Sequence, residues 1–184
     1  MKQQLSPSNS PQNIILFGYK SSGKTHFGRL LSTELERTFI DTDHQVEQLY
    51  AREFQEVGNC RQISLKLGEK GFRSLESRVI DSLRLVKNTI IAVGGGAVLS
   101  HENYKKLEKI GILIYLEVDK EVIKKRLFSD GVPSFLDPCD PEGSFEKMYL
   151  ERQPIYERAH SIKLKTQGKT DQQILLELIN LCAC

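Results

Sequence analysis

The stretch Asn13-Ile14-Ile15-Leu16-Phe17-Gly18-Tyr19-Lys20-Ser21-Ser22-Gly23-Lys24-Thr25 decides how the rest of the chain is read. Ile14 to Phe17 form a short apolar run, the kind that makes a strand buried on both faces of a parallel sheet. Gly18 ends the run. From there the residues fit G-x-x-x-x-G-K-[ST], with Gly23, Lys24 and Thr25 in the required places. Helix-forming residues follow from His26 to about Arg37. By chance the pattern would mark an ordinary strand, turn and helix with a solvated lysine. The strand before it and the helix after it argue for a phosphate site instead. Glycines let successive backbone N–H groups point inward at an anion, and the helix N-terminus adds partial positive charge. Lys24 is placed to reach the β- and γ-phosphates, and the Thr25 hydroxyl to ligand Mg²⁺. The nucleotide side is therefore assigned Gly18, Ser21, Ser22, Gly23, Lys24, Thr25 and the first helical residue, His26.

The chain has 184 residues, enough for one domain with a full core. That domain is read as 13–184. Residues 1–12, polar and carrying Pro7 and Pro11, are read as a disordered tail without the apolar core of a signal peptide. Net charge is +2 with basic residues spread along the chain, which disfavours a nucleic-acid partner. The apolar runs are too short to span a bilayer. The four cysteines, Cys60, Cys139, Cys182 and Cys184, show no metal-ligand spacing, and the Cys182/Cys184 pair is read as a frayed end. A cytosolic protein with reduced thiols, acting as a monomer, is expected.

Thr38 to Asp41 reads as a second strand, with Asp41 and Asp43 two apart at its carboxyl end, where open α/β sheets bind ligands. One carboxylate could approach a metal and the other a substrate hydroxyl. Helix capping, by Asp43 with Glu47 or by Thr42 alone, is an equal alternative. Residues 58–84 read as helices broken at Gly68 or Gly71, with Arg73 and Glu76 on one face. Thr89 to Val93 reads as a buried strand running into Gly94-Gly95-Gly96, a bare backbone that a ligand can approach closely. A helix over about 101–109, a strand over 112–118 and a helix capped by Asp119 follow. The Gly- and Pro-rich stretch 129–143 is a long loop, which is usually a functional lid or disordered. A helix from about Phe145, disturbed by Pro154, a strand over 161–164 and a helix over 171–181 complete the chain. Strands alternating with helices give an α/β domain of three layers with a mainly parallel sheet.

Residues 13–181 resemble the shikimate kinases, small P-loop kinases related to nucleoside monophosphate kinases. The likeness rests on the phosphate loop, Asp41-Thr42-Asp43, Gly68-Glu69 with Phe72-Arg73 and Glu76, Gly94-Gly95-Gly96-Ala97-Val98, and Arg152 with Pro154-Ile155-Tyr156. It implies a three-layer α/β/α P-loop kinase fold with five parallel strands in the order 2-3-1-4-5. It implies transfer of the ATP γ-phosphoryl group to the 3-hydroxyl of shikimate, with Mg²⁺. Lys24 would contact the transferring phosphate, Thr25 and Asp41 would attend the metal, and Asp43 would bind the reacting hydroxyl. Arg73, oriented by Glu76, and Arg152 would hold the shikimate carboxylate. Gly94, Gly95 and Gly96 would line its site, and Arg126 would stack on adenine. The segment 42–72 would bind the acceptor, and 129–143 would form the lid. The alternatives are another small-metabolite kinase of this fold, for gluconate or a nucleotide, and a nucleotide-binding module without catalysis.

Two stretches depart from the family pattern. Val132-Pro133-Ser134 stands where the family's lid carries an arginine, a proline and a leucine. Another cation then substitutes, with Lys20 and Lys125 the candidates, or turnover is slower, or the loop aligns with a shift. Ser21 replaces a frequent glycine, a change expected to be tolerated because Gly18 and Gly23 remain.

Overall fold

The computed structural model describes residues 12–129, 131–133 and 135–182. Five strands, β1 (Asn13–Phe17), β2 (Thr38–Asp41), β3 (Thr89–Ala92), β4 (Gly111–Glu117) and β5 (Ile162–Lys165), form one sheet in the order β2-β3-β1-β4-β5. Every pairing is parallel, with Ile15 opposite Ile91 on one side and Leu113 on the other. This is the 2-3-1-4-5 order the family resemblance implies.

Helices α1 (Lys24–Glu34), α2 (Thr42–Phe54), α3 (Cys60–Ser82), α4 (His101–Ile110), α5 (Lys120–Phe128), α6 (Pro141–Ala159) and α7 (Asp171–Cys182) connect and cover the strands. Successive side chains of β1 point to opposite faces, so a strand that is apolar throughout needs cover on both sides. Ile14 and Leu16 pack with Phe27 and Leu31 of α1 and Ile174 and Leu178 of α7. Ile15 and Phe17 pack with Ile80 of α3, Leu107 of α4, Ile123 of α5 and Phe145 of α6. A third, smaller cluster, Val46, Tyr50, Ile63, Leu75 and Val79, joins α2 to α3 at one end of the sheet.

Helix boundaries differ from the sequence reading where capping decides them. The first helix starts at Lys24 and stops at Glu34, short of Arg37. Of the two glycines proposed to break α3, Gly68 does so, at φ 70°, while Gly71 stays helical. Helix α6 begins at Pro141 rather than near Phe145. The Asp140 carboxylate accepts from Gly143 N at 3.0 Å, and a proline in the first turn lacks only an N–H that has no helical partner anyway. The 129–143 loop therefore ends at Asp140. Pro154 does not terminate α6, which continues to Ala159. Asp119 sits at the cap position of α5, but its side chain makes no capping bond. The tail assigned to 1–12 and Cys184 of the terminal pair lie outside the described residues, apart from the exposed Gln12.

One polar residue locks the start of the sheet. Asn13 is buried; its amide donates to the carbonyls of Val86 (2.7 Å) and Ile110 (2.9 Å), and its Oδ1 accepts from Thr89 N (3.0 Å). It thus pins the entries of β3 and β4 beside β1. Losing one member of a buried set leaves its partners desolvated and unpaired, at about 1–3 kcal/mol per group. Asn13→Ala is expected to lower unfolding stability by at least about 2 kcal/mol in urea titrations.

Candidate active site

The carboxyl ends of β1, β2 and β3 deliver Gly18, Asp41 and Gly94 to one side of the sheet, where a cleft of about 1050 Å³ opens. At the head of β1 the chain turns sharply, with Gly18 at φ 145° and Gly23 at φ 94°. A Cβ on Gly18 would sit 2.9 Å from the Leu116 carbonyl, so β4 also demands glycine there. Ser21 takes φ 65°, a left-handed conformation that costs a non-glycine residue about 1–2 kcal/mol. Glycine would take this conformation without that cost, so Ser21 holds the turn under strain. Gly18 and Ser22 lie beneath the cleft floor, and Ser22 N bonds back to the Tyr19 carbonyl at 3.2 Å. Ser21, Gly23, Lys24, Thr25 and His26 line the cleft itself.

Lys24 is buried, and its ammonium donates to the carbonyls of Gly18 (3.2 Å) and Tyr19 (2.7 Å). Burial lowers its pKa to about 8, against the opposing pull of Asp43 and Asp41. Arg126 donates to the Ser21 carbonyl at 3.1 Å. Three loop carbonyls thus face cations, which leaves the loop's positive character toward the cleft.

Asp41 occupies both its oxygens. Oδ2 accepts from the Thr25 hydroxyl at 2.6 Å, and Oδ1 accepts from Asp43 N at 3.0 Å. Asp41 is therefore the N-cap of α2, in place of Asp43 or Thr42. Glu47, the other half of the expected cap, accepts from Cys60 N at 3.0 Å, and the Thr42 hydroxyl accepts from Gly94 N at 3.0 Å. The Asp43 carboxylate is released from local bonding and faces the cleft. Its water-accessible edge notwithstanding, the surrounding walls withdraw it from bulk solvent and raise its pKa, with Lys24 acting in the other direction.

The glycine run takes the close approach that the sequence suggested. A Cβ on Gly94 would lie 2.5 Å from Asp43 Oδ1 and 3.1 Å from Glu76 Oε1. One on Gly95 would lie 3.1 Å from Lys20 N, and one on Gly96 would overlap the Arg73 guanidinium. Arg73 Nη1 donates to Glu76 Oε2 at 2.9 Å. Glu76 is buried; desolvation raises its pKa, while Arg73 holds it down. Arg152 of α6 lines the same cleft, its guanidinium 5.5 Å from the centre of the Phe135 ring. Lys20 also lines the cleft; Lys125, the other cation considered, is exposed on α5 outside it.

Several contacts at this site leave no signal in the sequence. Tyr19, a variable position of the loop, has its one O–H within reach of the Tyr149 carbonyl (3.1 Å) and Gln153 Oε1 (3.3 Å), which holds the loop against α6. Burial pushes its phenol pKa well up. Tyr156 donates to the Gly95 carbonyl, anchoring the glycine run to the same helix. His26 pairs with Asp171 at 2.7 Å across the nucleotide end. Cys60 and Arg61, at the start of α3, complete the opposite wall.

A phosphate loop ahead of a buried lysine, a hydroxyl–carboxylate pair beside it, and a carboxylate facing two arginines define a P-loop kinase of a small molecule. The sequence profile of the shikimate kinase family matches residues 20–183. A shikimate kinase of Thermodesulfovibrio yellowstonii is 32% identical over 168 residues, covering 91% of this chain and 93% of that one. One of Symbiobacterium thermophilum is 34% identical over 91% of this chain and 94% of its own. The solved shikimate kinase of Acinetobacter baumannii, in complex with shikimate, superposes with a TM-score of 0.83 at 29% identity, over 95% of this chain and 93% of that one. The chain belongs to the shikimate kinase family.

Burial of Lys24 has a measurable consequence. Its folded pKa lies below the ordinary 10.5, so between about pH 8 and 10.5 the unfolded chain binds the proton that the folded one lacks. Folding stability should therefore rise with pH across that window on this group's account. Lys24→Met should lose that component, so that the stability difference between variant and parent shifts steadily toward the parent from pH 8 to 10.5 in urea unfolding series.

Proposed function

We propose that this protein transfers the γ-phosphoryl group of ATP to the 3-hydroxyl of shikimate, with Lys24 and Asp43 as its catalytic residues. The observation that carries the reading is the Asp43 carboxylate. Asp41 takes over the cap of α2, which leaves Asp43 open to the cleft between Lys24 on one side and the Arg73–Glu76 pair on the other. A hydroxyl acceptor needs an oxygen that can align it and receive its proton. A carboxylate on the same acceptor needs planar cations, for which arginine is suited by its fork of donors.

In this reading the phosphate loop and Lys24 hold the transferring group, and Arg126 and His26 flank the nucleotide end. Arg73 and Arg152 hold the acceptor's carboxylate, Glu76 fixes Arg73, and Gly94, Gly95 and Gly96 keep the wall low enough for the ring. The bond from the acceptor oxygen to phosphorus forms as the bond to the ADP oxygen breaks, and the hydroxyl proton passes to Asp43. Such transfer depends mainly on positioning and charge neutralisation. Asp43 need only be ionised and aligned, and Lys24 beside it opposes the effect of burial.

Thr25 and Asp41 are the residues that would hold Mg²⁺. A hydroxyl and a carboxylate oxygen 2.6 Å apart suit a hard cation that takes few protein ligands and completes its shell with water and phosphate. Among the described residues no group of three or more histidines, cysteines or carboxylates gathers at one point, which fits that ligand-poor mode. When bound, the ion would neutralise charge on the β- and γ-phosphates. We assign acceptor binding to 42–72 and the lid to the 129–140 connection. A monomer working in the cytosol goes with this reading; among the described residues no helix is long and apolar enough to cross a membrane.

ADP release, coupled to an optical readout, should depend on shikimate and not on gluconate or nucleoside monophosphates. Turnover of one of the latter without shikimate turnover would overturn the assignment. Asp43→Asn should lower kcat strongly while nucleotide affinity holds. In the parent enzyme the acid limb of kcat/KM should lie above the usual carboxylate range, because burial raises the Asp43 pKa, and the variant should lack that limb. An unchanged kcat would reduce Asp43 to a wall residue.

A further inference from the structure

The α5–α6 connection, residues 129–140, contains Asp130, Asp137 and Asp140 and no lysine or arginine. A segment of that charge gains nothing electrostatically by covering a cleft filled with phosphates, since like charges repel. Its hold must come from another element. Its C-terminal side is rooted at α6: Asp137 N donates to Ser144 Oγ at 3.1 Å, and Leu136 is buried. Its other side is held from across the cleft, where Arg61 Nη2 donates to the Val132 carbonyl at 3.2 Å.

Arg61 is the second residue of α3. A cation in a first helical turn opposes the helix dipole, which favours acids there. The cap itself is complete without it: Asn59 Oδ1 accepts from Gln62 N and Gln62 Oε1 accepts from Asn59 N, each at 2.9 Å. The helix thus gains nothing from an arginine at this place. The turn that carries it is tied to the acceptor side of the site. Cys60 N donates to Glu47 at 3.0 Å, and Cys60 Sγ donates to the Asp43 carbonyl at 3.4 Å. A continuous path runs from the Val132 carbonyl through Arg61 and Cys60 to the backbone of Asp43. It spans the opening of the cleft, which Arg61 lines.

We propose that Arg61 is a latch, a positioning residue that holds the 129–140 lid by the Val132 carbonyl and makes the nucleotide and the acceptor favour each other's binding. A lid without cations of its own is thereby controlled from the acceptor-binding segment. Placing a nucleotide under the lid and placing an acceptor at Asp43 bias the same bridged arrangement, and by linkage the coupling is reciprocal. The inference rests on the shikimate kinase reading above.

Calorimetric titration of the full chain with a non-hydrolysable ATP analogue, with and without saturating shikimate, tests it. In the parent protein, shikimate should tighten the analogue by about tenfold. Arg61→Ala should bring that factor below about twofold, with the thermal midpoint unchanged. Arg61→Lys should retain part of the coupling, because an ammonium still donates to a carbonyl. Full coupling in Arg61→Ala, or none in the parent, would overturn the latch. Failure of the parent to turn over shikimate in the ADP-release assay would instead overturn the functional reading, so the two failures are separable.

Discussion

Both oxygens of one carboxylate join the two halves of the site. Asp41 takes the Thr25 hydroxyl with one and the Asp43 amide with the other. Thr25 belongs to the first turn of α1, directly after the phosphate loop, and Asp43 to the first turn of α2. The spacing between the loop and the cleft-facing carboxylate of Asp43 is therefore set by a single residue at the end of β2. Two helix starts converge on it, and it provides the N-cap of α2. That economy frees Asp43, whose side chain would otherwise be the natural cap.

The sheet and the phosphate loop were legible because their signals are local. Continuous apolar runs at 14–17 and 89–93 have no amphipathic alternative, and the glycines of 18–25 sit where the backbone turns. Arg73, Glu76 and the glycine run do line the cleft, but taken singly they read as a charged helix face and a flexible turn, and only the family resemblance gave them a place there. The choice between cap and free carboxylate at Asp41 and Asp43 could not be made from spacing. It depends on Thr42 and Glu47 being drawn to Gly94 and Cys60, which are far away in the chain. The start of α6 was misplaced for a similar reason: proline and glycine were read as loop, although Asp140 ahead of them makes a complete cap. Tyr19 and Arg61 left no trace, since each works through hydrogen bonds to groups far away in the chain.

The site also concentrates local costs. Lys24 is buried far enough to lose much of its basicity, Ser21 is held in a left-handed turn, and Asp43 and Glu76 are both pushed toward protonation. None of these favours the fold. An anion and a cation bound in the cleft would supply counter-charges that offset them. The aromatic group behind the loop, Phe17, Tyr19, Tyr115, Tyr149 and Tyr156, provides the rigid backing against which such strain can be kept.

The three consecutive glycines bear on how this chain tolerates change over generations. At each of them a methyl group meets a different obstacle: the Asp43 and Glu76 carboxylates at Gly94, the phosphate-loop backbone at Gly95, the Arg73 guanidinium at Gly96. At the third position the obstacle is the far end of the part-exposed Arg73 side chain, which can swing aside. Alleles with alanine there would still yield a folded, abundant protein whose functional groups have been displaced. Damage at this spot would escape quality control and surface only as lost flux.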